Sequence, residues 1–322
     1  MTDLFFEVEN LNTWFFTRQG AIKSVRDVSF DLRRGEVLGI VGESGSGKSV
    51  TGMSIMGQID QPGRIVSGSI KLDGEELTHL GFEEMRRYRG KRIAMVFQNP
   101  LMTLNPLMRI SDQMFEAISE HENAPRREMR ERCITALQAV GIPSPEERLD
   151  AYPHELSGGM RQRIVIATAL LLGPDMIIAD EPTTALDVTI QAQIIYHMRR
   201  LIDERGLGLI WISHDLATLS ELADRIMVMY AGAVMEIGTS AEIIGYARHP
   251  YTRKLLESVP SRNVPGQKLK QIPGNMPSLL SLGEGCPFAS RCDRATEICG
   301  TKLTAKQLSP THRIWCHHPF ED

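Results

Sequence analysis

The segment from residue 42 to residue 49 reads Gly-Glu-Ser-Gly-Ser-Gly-Lys-Ser and fits the phosphate-loop pattern G-x-x-x-x-G-K-[ST]. It follows the apolar run Val37–Val41, which is typical of a buried parallel strand. Its glycines permit positive φ angles and a close approach of the backbone to a ligand. Successive N–H groups can then surround an anion, and the dipole of the following helix adds to the attraction. The segment therefore predicts an α/β fold built around a nucleotide.

The residues of this loop are predicted to bind the phosphates of a nucleotide. Lys48 is predicted to reach the β- and γ-phosphates of ATP, and Ser49 to bind Mg²⁺. A chance glycine-rich turn is the alternative, and the complete pattern directly after a strand makes it the weaker one. The residues predicted to line the nucleotide here are Gly42, Ser44, Gly45, Ser46, Gly47, Lys48, Ser49 and Val50.

Two more apolar runs end in polar side chains. Residues 176–179 precede Asp180 and Glu181, an acidic pair at the end of a predicted core strand. Asp180 is predicted to hold Mg²⁺, directly or through water, and Glu181 to polarise the attacking water. Residues 209–213 precede His214, for which we expect a γ-phosphate contact because ligands gather at strand ends in open α/β sheets. An ordinary acidic loop and a structural histidine are the alternatives.

A second phosphate-seeking segment lies far downstream of the first. Residues 157–159 read Ser-Gly-Gly and open an apolar helical run, so their N–H groups can also face an anion. Two such helix starts in one chain indicate an unusual way of handling ATP.

With these motifs in this order, the chain resembles the ATP-binding subunit of an ABC transporter over about residues 4–260. The matching motifs are the phosphate loop, the Q-loop glutamine, the signature, the Walker B pair, the D-loop and the switch histidine, at Gly42–Ser49, Gln98, Leu156–Gln162, Asp180-Glu181, Ala185–Asp187 and His214. Met160 stands at the fifth signature position, where glutamine is usual. The resemblance implies a P-loop NTPase (RecA-like) core with an antiparallel β subdomain. It places the ATPase domain at residues 1–260, a helical insert at about residues 100–172, and a cysteine-bearing extension at residues 261–322.

The resemblance also assigns roles to single residues. Phe15 matches the aromatic side chain that stacks on adenine, and Gln98 matches the glutamine that contacts Mg²⁺ and senses the γ-phosphate. Residues 157–159 would bind the ATP of a partner ATPase, and Asp187, in the D-loop, would also be a nucleotide-binding residue. The residues that the resemblance implies for catalysis are Lys48, Gln98, Glu181 and His214, and those implied for Mg²⁺ are Ser49, Gln98 and Asp180.

Further segments resemble the dipeptide and oligopeptide importer branch of this family. They are residues 98–106, 152–155, 249–252 and 272–277. The branch implies a second, related ATPase subunit, two integral membrane permease subunits and a periplasmic or extracellular peptide-binding protein. Because some relatives carry nickel, glutathione or other peptide-like cargo, the cargo stays open.

Four of the five cysteines lie near the end of the chain, with the spacing C-x5-C-x6-C-x16-C, at Cys286, Cys292, Cys299 and Cys316. Cys133, on a predicted helix, is expected to be a buried core thiol. A cytosolic compartment disfavours disulfides, and four thiolates suit either tetrahedral zinc or an iron–sulfur cluster. The resemblance to the peptide-importer branch favours a [4Fe–4S] cluster, with zinc as the alternative.

Bulk properties exclude several classes of protein. The 322 residues carry a net charge of −4, so we expect no nucleic-acid partner. No apolar stretch reaches the roughly 18 residues of a spanning helix, and the first residues lack the features of a signal peptide. We therefore expect a cytosolic protein, and the resemblance to an importer implies a peripheral location at the cytoplasmic face of the inner (plasma) membrane. Soluble ABC ATPases of DNA repair or translation, exporter ATPases and iron–sulfur regulators are the alternatives.

Overall fold

The computed structural model describes residues 4–184, 186–259 and 270–321. The chain divides into two compact units. We call the first the phosphate-loop unit; it comprises Met1–Arg33, Val37–His79 and Trp211–Asp322. We call the second the signature unit; it comprises Arg34–Glu36 and Leu80–Ile210.

Strands and helices alternate along much of the described chain. The strands are β1 (Leu4–Thr17), β2 (Gly20–Arg33), β3 (Val37–Val41), β4 (Gly63–Leu72), β5 (Glu75–Glu76), β6 (Ile93–Val96), β7 (Met176–Asp180), β8 (Gly208–Ser213), β9 (Arg225–Tyr230), β10 (Ala233–Thr239), β11 (Lys306–Gln307) and β12 (Arg313–Ile314). The helices are α1 (Lys48–Ile55), α2 (Phe82–Arg86), α3 (Pro100–Thr103), α4 (Ile110–Ser119), α5 (Arg126–Ala139), α6 (Pro145–Leu149), α7 (Gly158–Leu170), α8 (Val188–Arg205), α9 (Leu216–Leu222), α10 (Ser240–Tyr246) and α11 (Pro250–Glu257).

The phosphate-loop unit contains two sheets. One is antiparallel, with the strand order β2-β1-β4-β5, and it confirms the predicted antiparallel β subdomain. The turn between its strands β4 and β5 is Asp73-Gly74, both at positive φ, as a tight hairpin turn requires. In the other sheet the order is β11-β12-β10-β9-β3, and β3 runs parallel to β9.

The signature unit carries most of the helices. Helices α3 to α7 fall between residues 100 and 170. Strands β6 (Ile93–Val96) and β7 (Met176–Asp180) pair in parallel. All five residues of β7 are buried, and the four that precede Asp180 form the continuous apolar run that is typical of a buried parallel strand. Strand β8, whose residues belong to both units, is buried along its whole length.

The C-terminal tail, described from residue 270 to residue 321, belongs to the phosphate-loop unit. It has little regular structure beyond two short strands, and β12 joins the sheet by pairing Ile314 with Glu236 of β10. A buried hydrogen bond of 2.8 Å between His312 Nε2 and the Glu236 carboxylate also attaches the tail to β10. The predicted boundary at residue 261 stays a prediction, since residues 260–269 lie outside the described residues.

No helix in the described part of the chain combines the length and the apolarity needed to cross a membrane.

Candidate nucleotide-binding site

The phosphate loop connects β3 to α1 within the phosphate-loop unit. Gly45 and Gly47 adopt positive φ angles of 78° and 98°, which side chains other than glycine rarely tolerate. A Cβ at Gly42 would lie 2.1 Å from the carbonyl oxygen of Met229, so this glycine is required by a close backbone approach. Ser44 and Gly45 are exposed at the outer edge of the loop, whereas Ser46 is fully buried. The loop therefore has the tight, glycine-dependent geometry that the pattern predicted.

Lys48 begins helix α1 and folds back over the loop. Its Nζ donates to the carbonyl oxygens of Gly42 at 2.8 Å and Glu43 at 3.1 Å, and the side chain is buried. The ammonium group is thus held above the loop, where an anionic ligand would meet it. The neighbouring Ser49 and Val50, also predicted to contact the nucleotide, are half-buried on the first turn of α1.

In the signature unit, the structure brings together two residues that are distant in sequence. The Gln98 amide donates to the Glu181 carboxylate at 3.1 Å, and Thr184 Oγ1 donates to the same oxygen at 3.0 Å. Glu181 adopts a φ of 46°, an uncommon conformation for a residue other than glycine. Such strain clusters at functional sites, where the surrounding contacts hold it. Asp180 precedes it at the end of β7 and is buried.

Thr184 was not predicted from the sequence. It follows Glu181 by three residues, and the only signal that points to it is the turn after β7, where a hydroxyl can reach back to the carboxylate.

The signature segment begins helix α7. Ser157 is its N-cap, because the Oγ atom accepts a hydrogen bond from Met160 N at 3.3 Å. Ser157 and Gly158 are exposed, and a Cβ at Gly159 would lie 2.9 Å from the side chain of Ile190. An exposed helix start with a serine and a glycine can receive an anion from outside this chain.

Asp187 is the N-cap of helix α8, and its carboxylate accepts from Ile190 N at 2.9 Å. This cap is a local structural role for the residue that was predicted to lie at the nucleotide. Ala185, predicted as the first residue of the D-loop, lies outside the described residues.

His214 and Phe15 both belong to the phosphate-loop unit. His214 is exposed directly after β8, and the next residue, Asp215, caps helix α9 by accepting from Ala217 N at 2.9 Å. Phe15 is half-buried on β1 beside Gly63, where an added Cβ would lie 2.6 Å from its ring. The predicted contacts of the two residues with phosphate and adenine stay predictions.

The cysteine tail differs from the prediction in one respect. All five cysteines are free thiols, and Cys133 is fully buried on α5, as expected. Among the described residues, however, no group of three or more His, Cys, Asp or Glu side chains is arranged to hold a metal ion. The predicted four-cysteine cluster therefore finds no support in the side-chain geometry of the described residues.

The thiols of the tail nevertheless influence one another. Burial raises the pKa of Cys286 to about 12, and the charges of Cys316, Cys299 and Cys292 raise it further. Burial likewise raises the pKa of Cys316 to about 11. The electrostatic influence indicates that the four thiols lie in the same part of the tail.

Together, the loop after β3, the acidic pair at the end of β7 and the exposed start of the signature helix are the features of an ATPase of the ABC type. Sequence comparison agrees with this class: the family profile of ABC transporters matches residues 25–184, and that of the oligopeptide/dipeptide transporter C-terminal region matches residues 235–299.

Two relatives align with this chain over nearly the whole length of both proteins. The oligopeptide transport ATP-binding protein OppD of Escherichia coli strain K12 is 43% identical over 99% of this chain and 95% of its own length. The dipeptide transport ATP-binding protein DppD of Bacillus subtilis strain 168 is 46% identical over 96% of this chain and 93% of its own length. The chain belongs to the oligopeptide/dipeptide family of ABC transporter ATP-binding proteins.

Solved structures show the same fold. A bacterial ABC transporter cassette, MJ0796, solved as a dimer, has a TM-score of 0.66 at 26% identity over 73% of this chain and 98% of its own. The cbiO1 protein of Clostridium perfringens, part of the ABC transporter complex cbiONQ, has a TM-score of 0.64 at 28% identity, over 76% and 92% of the two chains. The predicted ABC ATPase fold is therefore confirmed.

Proposed function

We propose that this chain is the ATP-hydrolysing, energy-coupling subunit of an importer for dipeptides or oligopeptides. The observation that carries the proposal is that one chain matches both the ABC transporter profile and the peptide-transporter C-terminal profile. The relatives named above for oligopeptide and dipeptide transport align over nearly their whole length, which supports the same cargo class here.

The proposed chemistry assigns each motif a step. Lys48 and the N–H groups of the phosphate loop bind the β- and γ-phosphates of ATP. Ser49, Gln98 and Asp180 would hold Mg²⁺, which would neutralise charge on the phosphates. Glu181 polarises the attacking water, and its hydrogen bonds from Gln98 and Thr184 support this role by orienting the carboxylate. His214 contacts the γ-phosphate, and Phe15 stacks on adenine.

The working unit in this proposal is a pair of ATPase subunits. The exposed Ser157 and Gly158 support it, because an N-terminal helix end that faces solvent is available to a nucleotide held by another chain. Two ATP molecules then join the pair, and loss of a γ-phosphate shifts the population toward the open form. The partner is proposed to be a related but different ATPase, as in the importer branch.

The remaining partners are two integral membrane permease subunits and an external peptide-binding protein. Leu101, Met102 and Leu107, which follow Gln98 closely, are 58%, 85% and 86% exposed. Large apolar side chains exposed beside the γ-phosphate sensor support a contact with a permease helix in this segment. The chain is accordingly proposed to lie at the cytoplasmic face of the membrane.

A [4Fe–4S] cluster on Cys286, Cys292, Cys299 and Cys316 is retained as a proposal, with zinc as the alternative. It is supported by the resemblance of these four positions to the tail of the peptide-importer branch, and by the suitability of four thiolates as cluster ligands. The cluster is expected to stabilise the fold of the tail, which buries few apolar side chains. Anaerobically purified protein should contain iron and acid-labile sulfide; stoichiometric zinc and no iron would contradict the cluster.

Transport by the reconstituted system tests the function as a whole. The chain is combined with its candidate permeases, partner ATPase and binding protein in vesicles, and uptake of a labelled dipeptide is followed with ATP inside. We expect ATP-dependent uptake that unlabelled dipeptides or oligopeptides suppress. Suppression by nickel or glutathione alone would reassign the cargo, and ATP-independent uptake would contradict the energy-coupling role.

A further inference from the structure

Arg291, in the C-terminal tail, makes an unusually complete set of contacts. Its guanidinium donates five hydrogen bonds: to both carboxylate oxygens of Glu43, to Tyr230 OH, and to the carbonyl oxygens of Ile272 and Pro273. These match the five N–H groups of the side chain. The Glu43 bonds are 2.6 and 3.1 Å long and form a bidentate ion pair. Arg291 is 5% exposed, so this arrangement is built into the interior of the phosphate-loop unit.

Glu43 is the second residue of the phosphate loop. Its carbonyl oxygen accepts from Lys48 Nζ at 3.1 Å and from Ser46 N at 3.1 Å, while its N–H donates to Tyr251 OH at 3.0 Å. Glu43 therefore binds Arg291 through its side-chain carboxylate and Lys48 through its backbone carbonyl oxygen. One residue links a tail arginine to the phosphate-binding lysine.

The charge of Glu43 poses an electrostatic problem for this loop. A carboxylate within an anion-binding loop repels the phosphates that the loop binds. Glu43 is 28% exposed, so solvent screens its charge incompletely. Arg291 offsets this repulsion in two ways. It supplies a compensating positive charge, and its bidentate hydrogen bonds fix the orientation of the Glu43 carboxylate.

The position of Arg291 is itself fixed by packing. It ends a short 3₁₀ turn, Ala289–Arg291, directly after Phe288, whose side chain is fully buried. The Phe288 ring packs edge-on against Tyr230 at a centroid distance of 5.3 Å and in a tilted arrangement against Tyr251 at 5.1 Å. The two tyrosines are also the hydroxyl partners of Arg291 and Glu43. The tail and the loop thus share one rigid aromatic support.

We propose that Arg291 is a positioning residue for the phosphate loop: by pairing with Glu43 it neutralises and orients that carboxylate, so that the C-terminal tail sets the affinity for ATP. This inference rests on the proposed binding of ATP at the phosphate loop. It gives the tail a role in the nucleotide cycle that neither its composition nor its cysteines suggest.

The test is a calorimetric titration of the full-length chain with a non-hydrolysable ATP analogue in the presence of Mg²⁺, which measures the dissociation constant of the analogue. Arg291→Met, which keeps the length of the side chain and removes its charge, should weaken binding on the order of tenfold. Adding Glu43→Gln should restore the affinity to within about threefold of the wild type, because the uncompensated carboxylate is gone. A residue that only stabilises the tail would not be rescued in this way.

The matched control is Arg294→Met, which removes another tail arginine, one that stacks on the ring of Phe320 at 4.4 Å. It should bind the analogue with wild-type affinity. If Arg291→Met does not fold, Arg291→Gln gives the same comparison, because a glutamine amide nitrogen is as many bonds from the backbone as the Arg291 Nε that donates to the Pro273 carbonyl oxygen.

Two results would overturn the inference: a folded Arg291 variant with wild-type affinity, or a double variant that binds as weakly as the single one. Lys48→Ala in the same assay separates this inference from the proposed function. Wild-type affinity in Lys48→Ala would remove the phosphate loop itself as the ATP site, whereas loss of binding there, with Arg291 variants unaffected, would remove Arg291 alone.

Discussion

The phosphate loop and the C-terminal tail lie in the same compact unit but are held by different means. The loop depends on backbone geometry: Gly45 and Gly47 at positive φ, and Gly42 against a carbonyl oxygen. The tail depends on side chains that reach residues far away in sequence, such as Arg291 to Glu43 and His312 to Glu236. Backbone geometry leaves a local sequence pattern, whereas long-range side-chain contacts leave none. The phosphate loop can therefore be predicted from the sequence, whereas the attachment of the tail cannot.

The largest expected effect lies in catalysis. Glu181→Gln should keep ATP binding and reduce the hydrolysis rate on the order of a hundred- to ten-thousandfold, since the amide cannot polarise water as a base. It should also trap the closed ATPase pair. Steady-state phosphate release and size analysis with ATP measure both effects.

The control for this variant is Asp203→Asn, on the exposed side of α8, where the carboxylate pairs with Arg199 at 3.2 Å. It should hydrolyse ATP at the wild-type rate. Wild-type turnover in Glu181→Gln would remove this residue from the role of base.

The second effect concerns affinity. Lys48→Ala should weaken ATP binding on the order of ten- to a hundredfold, because a charge-assisted contact with the phosphates is lost. Titration with an ATP analogue measures it. An unchanged dissociation constant would contradict the phosphate-loop assignment and with it the contrast between the loop and the tail.

The third effect concerns stability and tests the tail. His312→Ala removes a hydrogen-bond partner of Glu236, whose carboxylate is fully buried. We expect the free energy of unfolding to fall by about 1–3 kcal/mol. Chemical denaturation measures the change, with the exposed His79→Ala as the matched control. If both variants are equally stable, the tail is not anchored through this contact.

The smallest effect is a pH dependence of the same anchor region. Burial raises the pKa of Glu242, but hydrogen bonds from Ser309, Thr239 and Thr311 outweigh it and hold the pKa at about 2. Since this lies below the ordinary value of 4.5, the carboxylate stabilises the fold above pH 4.5, and its contribution is lost as the pH falls from 4.5 through about 2.

Glu242→Gln should flatten the acid limb of the curve of unfolding free energy against pH in that window. The exposed Glu297→Gln, in the tail, serves as the control and should follow the wild-type curve. Parallel curves for the wild type and Glu242→Gln would show that Glu242 does not titrate with folding.

Several parts of the site follow from sequence alone. The pattern at residues 42–49 predicted the glycine-dependent loop, and the acidic pair after an apolar run predicted a buried Asp180 followed by Glu181 at the strand end. Gln98 came from family resemblance, and the structure places its amide on the Glu181 carboxylate. Thr184 escaped prediction, because a threonine in a turn has no chemical signature until its partner is known.

The sequence by itself determined the class of the protein, its nucleotide motifs and its family, because these depend on short patterns whose spacing is dictated by backbone geometry. Only the tertiary structure decided that the tail shares the phosphate-loop unit and that Arg291 pairs with a carboxylate 248 positions away. The physical reason is that such contacts depend on the distance between side chains after folding, which no local pattern encodes.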